Sequence, residues 1–170
     1  MRASLDDSIA RGRRGEKKGF TDRMRSAIRT DKAPHPSAAY EQAVVSGDLI
    51  FVSGQVAVNP ATNRVHGASM EDQVTQTLRN IEAIVKAAGG NKSDIVRCGV
   101  FLADLNDFAS MNEGYKTFFG DLLPARTTVQ AGLGTFRVEI DAIAIRSRGR
   151  VRRRTAVTDR GGAATKRRKR

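Results

Sequence analysis

The feature that most limits what this chain can become is a helical stripe in its middle. Val74, Leu78, Ile81, Val85 and Ala88 follow one another at spacings of four, three, four and three residues, the repeat that gathers apolar side chains on one face of an α-helix. Ser69 stands where an N-cap hydroxyl belongs, with Asp72 three residues on, and Gly89-Gly90 supplies the stop. A second stripe, Phe108, Met111, Tyr115, Phe118 and Phe119, runs to Gly120, and Asn106 or Asp107 can cap it. The surface that buries these stripes comes from strand-like segments. Residues 42–45 and 49–53 are short β-rich runs around Ser46-Gly47-Asp48, 95–102 is mostly apolar, and 126–131 and 136–145 close the series. The predicted order is β-β-α-β-α-β-β, a two-layer α+β domain. The sheet face away from the helices needs its own cover, and in so short a chain another subunit is the natural candidate.

Charge divides the chain into three parts. Pro34 and Pro36, with His35 between them, mark the expected start of the domain. Residues 1–33 carry a net charge of +5 and show no sustained periodicity apart from a short helix expected at 22–28. The domain, 34–146, carries −3, and the tail, 147–170, carries +10. The positive excess therefore lies outside the domain, which lacks the basic face of a nucleic-acid binder. The two ends are expected to be poorly ordered basic arms, able at most to attract polyanions non-specifically; the run at 166–170 has the composition of a nuclear-localisation motif. The single cysteine, Cys98, excludes an intrachain disulfide and fits a reducing compartment. No apolar run approaches the ~20 residues needed to span a bilayer. A cytoplasmic protein without membrane contact is expected. His35 and His66 lie far apart with no ligand spacing around them, so no metal site is expected.

The last two strands carry the most informative polar residues. In 136–145 the even positions Phe136, Val138, Ile140, Ala142 and Ala144 are apolar, while the odd positions begin Arg137, Glu139, Asp141. In the preceding strand Arg126, Thr128 and Gln130 share a face. A hairpin through Gly132-Leu133 would set Arg126 opposite Glu139. The alternation supports each face assignment but not that pairing. An ordinary solvated edge with a surface ion pair is the plain alternative.

Nine short segments, in order and over some 110 residues, resemble the Rid/YjgF family of reactive intermediate deaminases. They are Tyr40-Glu41-Gln42-Ala43-Val44, Phe51-Val52-Ser53-Gly54-Gln55, Asn59-Pro60-Ala61-Thr62, Ala87-Ala88-Gly89-Gly90, Val100 through Phe108, Met111 through Tyr115, Phe118-Phe119-Gly120, Pro124 through Val129 and Val138 through Ala144. The resemblance implies a chorismate-mutase-like mixed β-sheet with two helices on one face, assembled as a homotrimer with clefts between subunits. It also implies hydrolysis of 2-imino or 2-enamino acids, such as 2-aminoacrylate, to 2-keto acids and ammonia, without cofactor or metal.

Carried over position by position, the resemblance makes Arg126 the carboxylate-gripping residue. A planar guanidinium can make two parallel hydrogen bonds to a carboxylate, and lysine cannot. Glu139 falls at the acidic position that holds or deprotonates the attacking water. Tyr40, Ser53, Asn112 and Thr128 match polar lining positions, and Gly54 is expected to permit close backbone approach. This chain has Ala38-Ala39 where the family has Gly-Pro, and Thr128 where some members carry a cysteine. Its link from Arg126 to Glu139 is two residues shorter than in typical members. An even shortening keeps Glu139 on its face but alters the mouth of the cleft, and with it the expected substrate size. Cys98 is expected to pack as a small hydrophobe. Two other functions fit the resemblance: RNA binding or cleavage with translation inhibition, and non-catalytic binding of small carboxylates.

Overall fold

The computed structural model describes residues 25–146. The basic arms at 1–24 and 147–170, with the motif at 166–170 and any polyanion contact through them, lie outside the described residues. The strands are β1 (Ser26–Ile28), β2 (Ala43–Ser46), β3 (Leu49–Val56), β4 (Val58–Asn59), β5 (Arg64–Val65), β6 (Ile95–Leu102), β7 (Ala125–Gln130) and β8 (Val138–Ile145). The helices are α1 (Met70–Ala87) and α2 (Phe108–Phe119). Six strands form one mixed sheet in the order β1-β2-β3-β8-β6-β7, and β4 with β5 makes a small separate ribbon. Every neighbouring pair in the large sheet is antiparallel except β6 and β7. A parallel pair needs a long crossover, and α2 provides it.

One core joins both helices to one face of the sheet. Val74, Leu78, Ile81, Ile84 and Val85 of α1 and Met111, Tyr115 and Phe119 of α2 pack against Ile50, Val52, Val100, Leu102, Ile140 and Ala142. The even positions of β8 are buried and the odd ones are not, as the alternation predicts. The helices approach closely where α2 passes the start of α1: a Cβ on Gly114 would stand 3.1 Å from the Glu71 backbone. The Ser69 hydroxyl accepts from the Asp72 N–H at 3.1 Å, and Gly89 leaves α1 at φ 86°, so both ends of the first helix are as expected.

Three expectations need correction. Residues 26–28 form an edge strand paired with β2, not the end of a helix, and Ala33 just upstream of Pro34 is fully buried. Thus the sheet reaches upstream of the expected start at 34. The start of α2 is not capped by an Asn106 or Asp107 side chain. Instead Asp104 accepts from the Asn106 N–H at 2.9 Å in a preceding 3₁₀ turn, and the Asp107 carboxylate takes both Arg137 nitrogens, at 2.6 and 3.3 Å. Finally, Phe108, at the head of the second stripe, is 43% exposed.

Candidate active site

The candidate residues fall into two groups. The first is built around Glu139. Midway along β3 the pairing with β8 slips between Val52 and Gln55, so Ser53 and Gly54 bulge from the ladder. Bulges re-aim neighbouring groups, and here the bulge brings backbone against a carboxylate: a Cβ on Gly54 would overlap the Glu139 carboxyl group. A side chain there would displace the carboxylate from this position. The Ser53 hydroxyl donates to the Glu41 carbonyl at 2.7 Å. A cleft of about 660 Å³ opens over this spot, with His35, Tyr40, Ser53, Gly54, Phe136 and Glu139 among its lining residues.

Two buried amides hold the walls of that cleft. Gln42 donates through Nε2 to the carbonyls of Thr30, Ala33 and Pro34 at 3.0, 3.1 and 2.8 Å, and its Oε1 accepts from the Thr30 N–H at 2.7 Å. It ties the segment leading to His35 and Tyr40 onto β2. Asn80 of α1 donates to the carbonyls of Val56 and Val58 at 3.0 and 2.8 Å and accepts from Gln76 at 2.8 Å, fixing the junction between β3 and β4. Unpaired buried amides are costly, so these side chains demand the chain path they hold. Neither had a site role in the sequence; the signal was a polar residue interrupting an otherwise apolar strand or helix face.

Burial pushes the Glu139 carboxyl above its ordinary range, and the neighbouring Asp141 carboxylate adds to the effect. Asp141 itself accepts from the Gly99 N–H at 2.9 Å and lies 3.5 Å from Arg97.

The second group surrounds Arg126. Its guanidinium donates to Asn112 Oδ1 at 2.9 Å and lies 4.6 Å from the Tyr115 ring centroid and 5.6 Å from that of Phe108. Stacking on aromatic faces restrains a cation without neutralising it. Among the described residues no carboxylate forms an ion pair with Arg126. A small hollow of about 270 Å³ beside it is lined by Asn112, Tyr115, Lys116, Leu123 and Pro124. Further along β7, the buried Thr128 hydroxyl has no hydrogen-bond partner among the described residues. Underneath, burial pushes the Cys98 thiol up to about 11 and the adjacent Tyr115 phenol far above its usual range.

These two groups occupy opposite faces of the sheet. Arg126 shares a rung with Cys98 and Ala142, on the helix side. Glu139 shares a rung with Phe101 and Val129, three positions along β6 and hence on the other side. β8 and β7 are not neighbours, because β6 runs between them. The alternation within each strand is as predicted, yet the two polar sets do not meet in one protomer. Tyr40, Ser53 and Gly54 lie with Glu139, and Asn112 lies with Arg126.

Fold and geometry together define an α+β protein with one mixed sheet, a carboxylate cleft on its open face and, at its β7 edge, a guanidinium that no carboxylate of the described residues pairs with. The family model described as endoribonuclease L-PSP matches residues 30–146. A RutC family protein of Pyrococcus horikoshii is 40% identical over 123 residues, 71% of this chain and 98% of that protein. The 2-iminobutanoate/2-iminopropanoate deaminase of Rattus norvegicus is 41% identical over 125 residues, 72% of this chain and 90% of that one. Among solved structures, that of Escherichia coli TdcF with bound serine matches with a TM-score of 0.68 at 42% identity, covering 72% of this chain and 99% of the other. The chain belongs to the endoribonuclease L-PSP family, the YjgF/Rid proteins. Relatives named as imine or reactive intermediate deaminases stand at about 40% identity to it.

Proposed function

We propose that this protein hydrolyses 2-imino and 2-enamino acids to 2-keto acids and ammonia. The observation that carries the reading is Arg126: a half-buried guanidinium, oriented by Asn112 and Tyr115, whose charge no carboxylate of the described residues neutralises. Such a group is ready to grip a small carboxylate through two parallel hydrogen bonds. The unpartnered Thr128 hydroxyl beside it supplies a further donor or acceptor for the same ligand.

Hydrolysis also needs a base. Glu139, ionised, takes a proton from a water that attacks the imine carbon. The resulting carbinolamine collapses as its nitrogen, protonated, leaves as ammonia and the carbonyl forms. Water adds across C=N and ammonia departs, so the balance closes with no oxidant or other reactant. Tyr40, Ser53 and Gly54 orient the imine and the water. Imines are reactive already, so positioning plus one base suffices for useful catalysis.

Because Arg126 and Glu139 face opposite ways, a complete site takes Arg126 from one protomer and Glu139 from another. A homotrimer with clefts between subunits meets that need. The open sheet face carries Leu49, Phe51 and Ile145, and the β7 edge carries Leu122, Leu123 and Val129, all 39–60% exposed, which is apolar surface suited to a subunit contact. The test is ammonia or keto-acid release from freshly generated 2-aminoacrylate, with a sizing measurement on the same sample. Wild type should exceed buffer and Arg126→Ala should not. Equal rates with wild type and buffer would rule the reading out.

A further inference from the structure

We propose that His35, on the wall of the Glu139 cleft, gives the substrate nitrogen the protons it needs to leave as ammonia, so that acid and base are separate groups of one cleft. The inference rests on the imine-deaminase reading and adds a second proton-transfer residue to it. Hydrolysis moves two protons from oxygen to nitrogen. The first moves as water adds across C=N, and the second as the carbinolamine C–N bond breaks with its electron pair on nitrogen and the carbonyl forms. Glu139 takes each proton from oxygen. The His35 imidazolium forms the N–H bond in each step. Afterwards Glu139 returns its proton to solvent and His35 recovers one from it, so the net reaction is unchanged and needs no oxidant or reductant.

Three observations support the assignment. Only His35, Tyr40 and Glu139 among the residues lining the cleft can titrate, and imidazole is the side chain that ordinarily exchanges its proton between pH 5 and 8. The chain's other histidine, His66, is not part of the lining. Second, the backbone beneath His35 is fixed. Pro34 and Pro36 flank it, a proline holds the residue before it extended, and Gln42 binds the Ala33 and Pro34 carbonyls. A proton donor acts only when it is held within reach of its acceptor. Third, the Asp31 carboxylate lies 3.4 Å from His35 Nε2, which orients the ring. Nδ1 makes no hydrogen bond among the described residues and is left for a ligand. The ring is 71% exposed, so solvent can restore its proton after each step.

The experiment generates the imine of alanine in situ with an excess of an amino acid oxidase and follows its hydrolysis by wild type, His35→Ala and His35→Gln on both sides of the imidazole range, about pH 5 to 8. The donor is the protonated ring, so wild-type kcat should fall as pH rises through that range. His35→Ala should lower kcat on the order of 10²-fold, the lower end for a positioned proton donor, with KM little changed and the alkaline limb gone. Free imidazole should recover activity in His35→Ala, where it can enter the vacated space, but not in His35→Gln. Unchanged kcat and an unchanged alkaline limb in His35→Ala would overturn the proposal and leave the deaminase reading standing. A fall in kcat with the limb still present and no recovery by imidazole would also overturn it, by making His35 merely structural. No acceleration of the imine by wild type would overturn both.

Discussion

The two halves of the candidate site are built in opposite ways. The Arg126 half rests on the dry side of the sheet, where Tyr115, Met111 and Asn112 of α2 hold a permanent cation against the core. The Glu139 half lies on the open side, where a bulge in β3 and two loops frame an acid whose ionisation its surroundings oppose. The difference shows how labour is divided. The guanidinium is held by packing, and the acid that would exchange protons in the proposed reaction sits beneath a cleft. On the proposed reading both halves are needed, and the sheet between them keeps Arg126 and Glu139 of one protomer apart.

The largest effect should come from separating the halves by mutation. Arg126→Ala should lower kcat/KM for 2-aminoacrylate about 10²- to 10³-fold, the scale of losing a desolvated charge-assisted contact. Glu139→Gln should be similarly impaired. Co-expressed, the two inactive variants should regain activity, because a closed ring of mixed protomers places an intact Arg126 beside an intact Glu139 in about a quarter of its clefts. Absence of any recovery, with mixed oligomers demonstrated, would mean that both groups serve a cleft from the same protomer or that one of them serves none.

Next in size is the pH response of Glu139. Its folded-state pKa is raised, chiefly by burial and then by Asp141. The stability associated with its neutral form is therefore fully present below the unfolded value and is lost as pH rises through the folded one. At pH 7 ionised Glu139 costs stability. Glu139→Gln should consequently melt higher than wild type at pH 7, with the difference vanishing below the ordinary value of 4.5. The acid limb of kcat/KM in the wild type should lie above that value. A melting difference that grows on acidification would reverse the sign and remove the burial argument.

Much of this was legible in the sequence, and the exceptions have a common cause. The stripe from Val74 to Ala88, the Ser69 cap and the run at 95–102 follow from local periodicity, and they appear where expected. The faces of single residues on β7 and β8 were also visible as alternation. The relation between those strands was not, because β8 enters between β3 and β6 through contacts distant in sequence. β1 is three residues long, too short to show alternation, and exists only because β2 offers it an edge. Asp107 looked like a helix cap and is an ion-pair partner instead, since Arg137, thirty positions later, arrives beside it. Gln42 and Asn80 gain a role only through the chain paths they hold, which are set by contacts distant in sequence.

A smaller effect tests how closely the bulge is fitted to the acid. Gly54→Ala adds a methyl group where the Glu139 carboxylate lies, so the carboxylate must move while the β3–β8 ladder on either side stays paired. We expect kcat to fall about tenfold, since small misplacement of a reacting group costs on the order of that or more, with elution volume and helical content unchanged. Unaltered kcat would show that Glu139 acts from a different rotamer than the one the bulge accommodates.

The smallest effect is expected on the Arg126 side, and its smallness is the point. Cys98, on β6, pairs directly with Arg126 of β7; it is fully buried, and its thiol is pushed up to about 11, first by burial. At pH 7.5 the thiolate fraction is then below about one in a thousand, and the thiolate is the species that alkylates. Iodoacetamide should leave both the thiol and the activity intact in the native protein, while the denatured chain reacts fully. Rapid alkylation with loss of activity would mean that water reaches the floor beneath the guanidinium. Both halves of the site would then be wet, and the contrast between a guanidinium locked by packing and an acid beneath an open cleft would no longer hold.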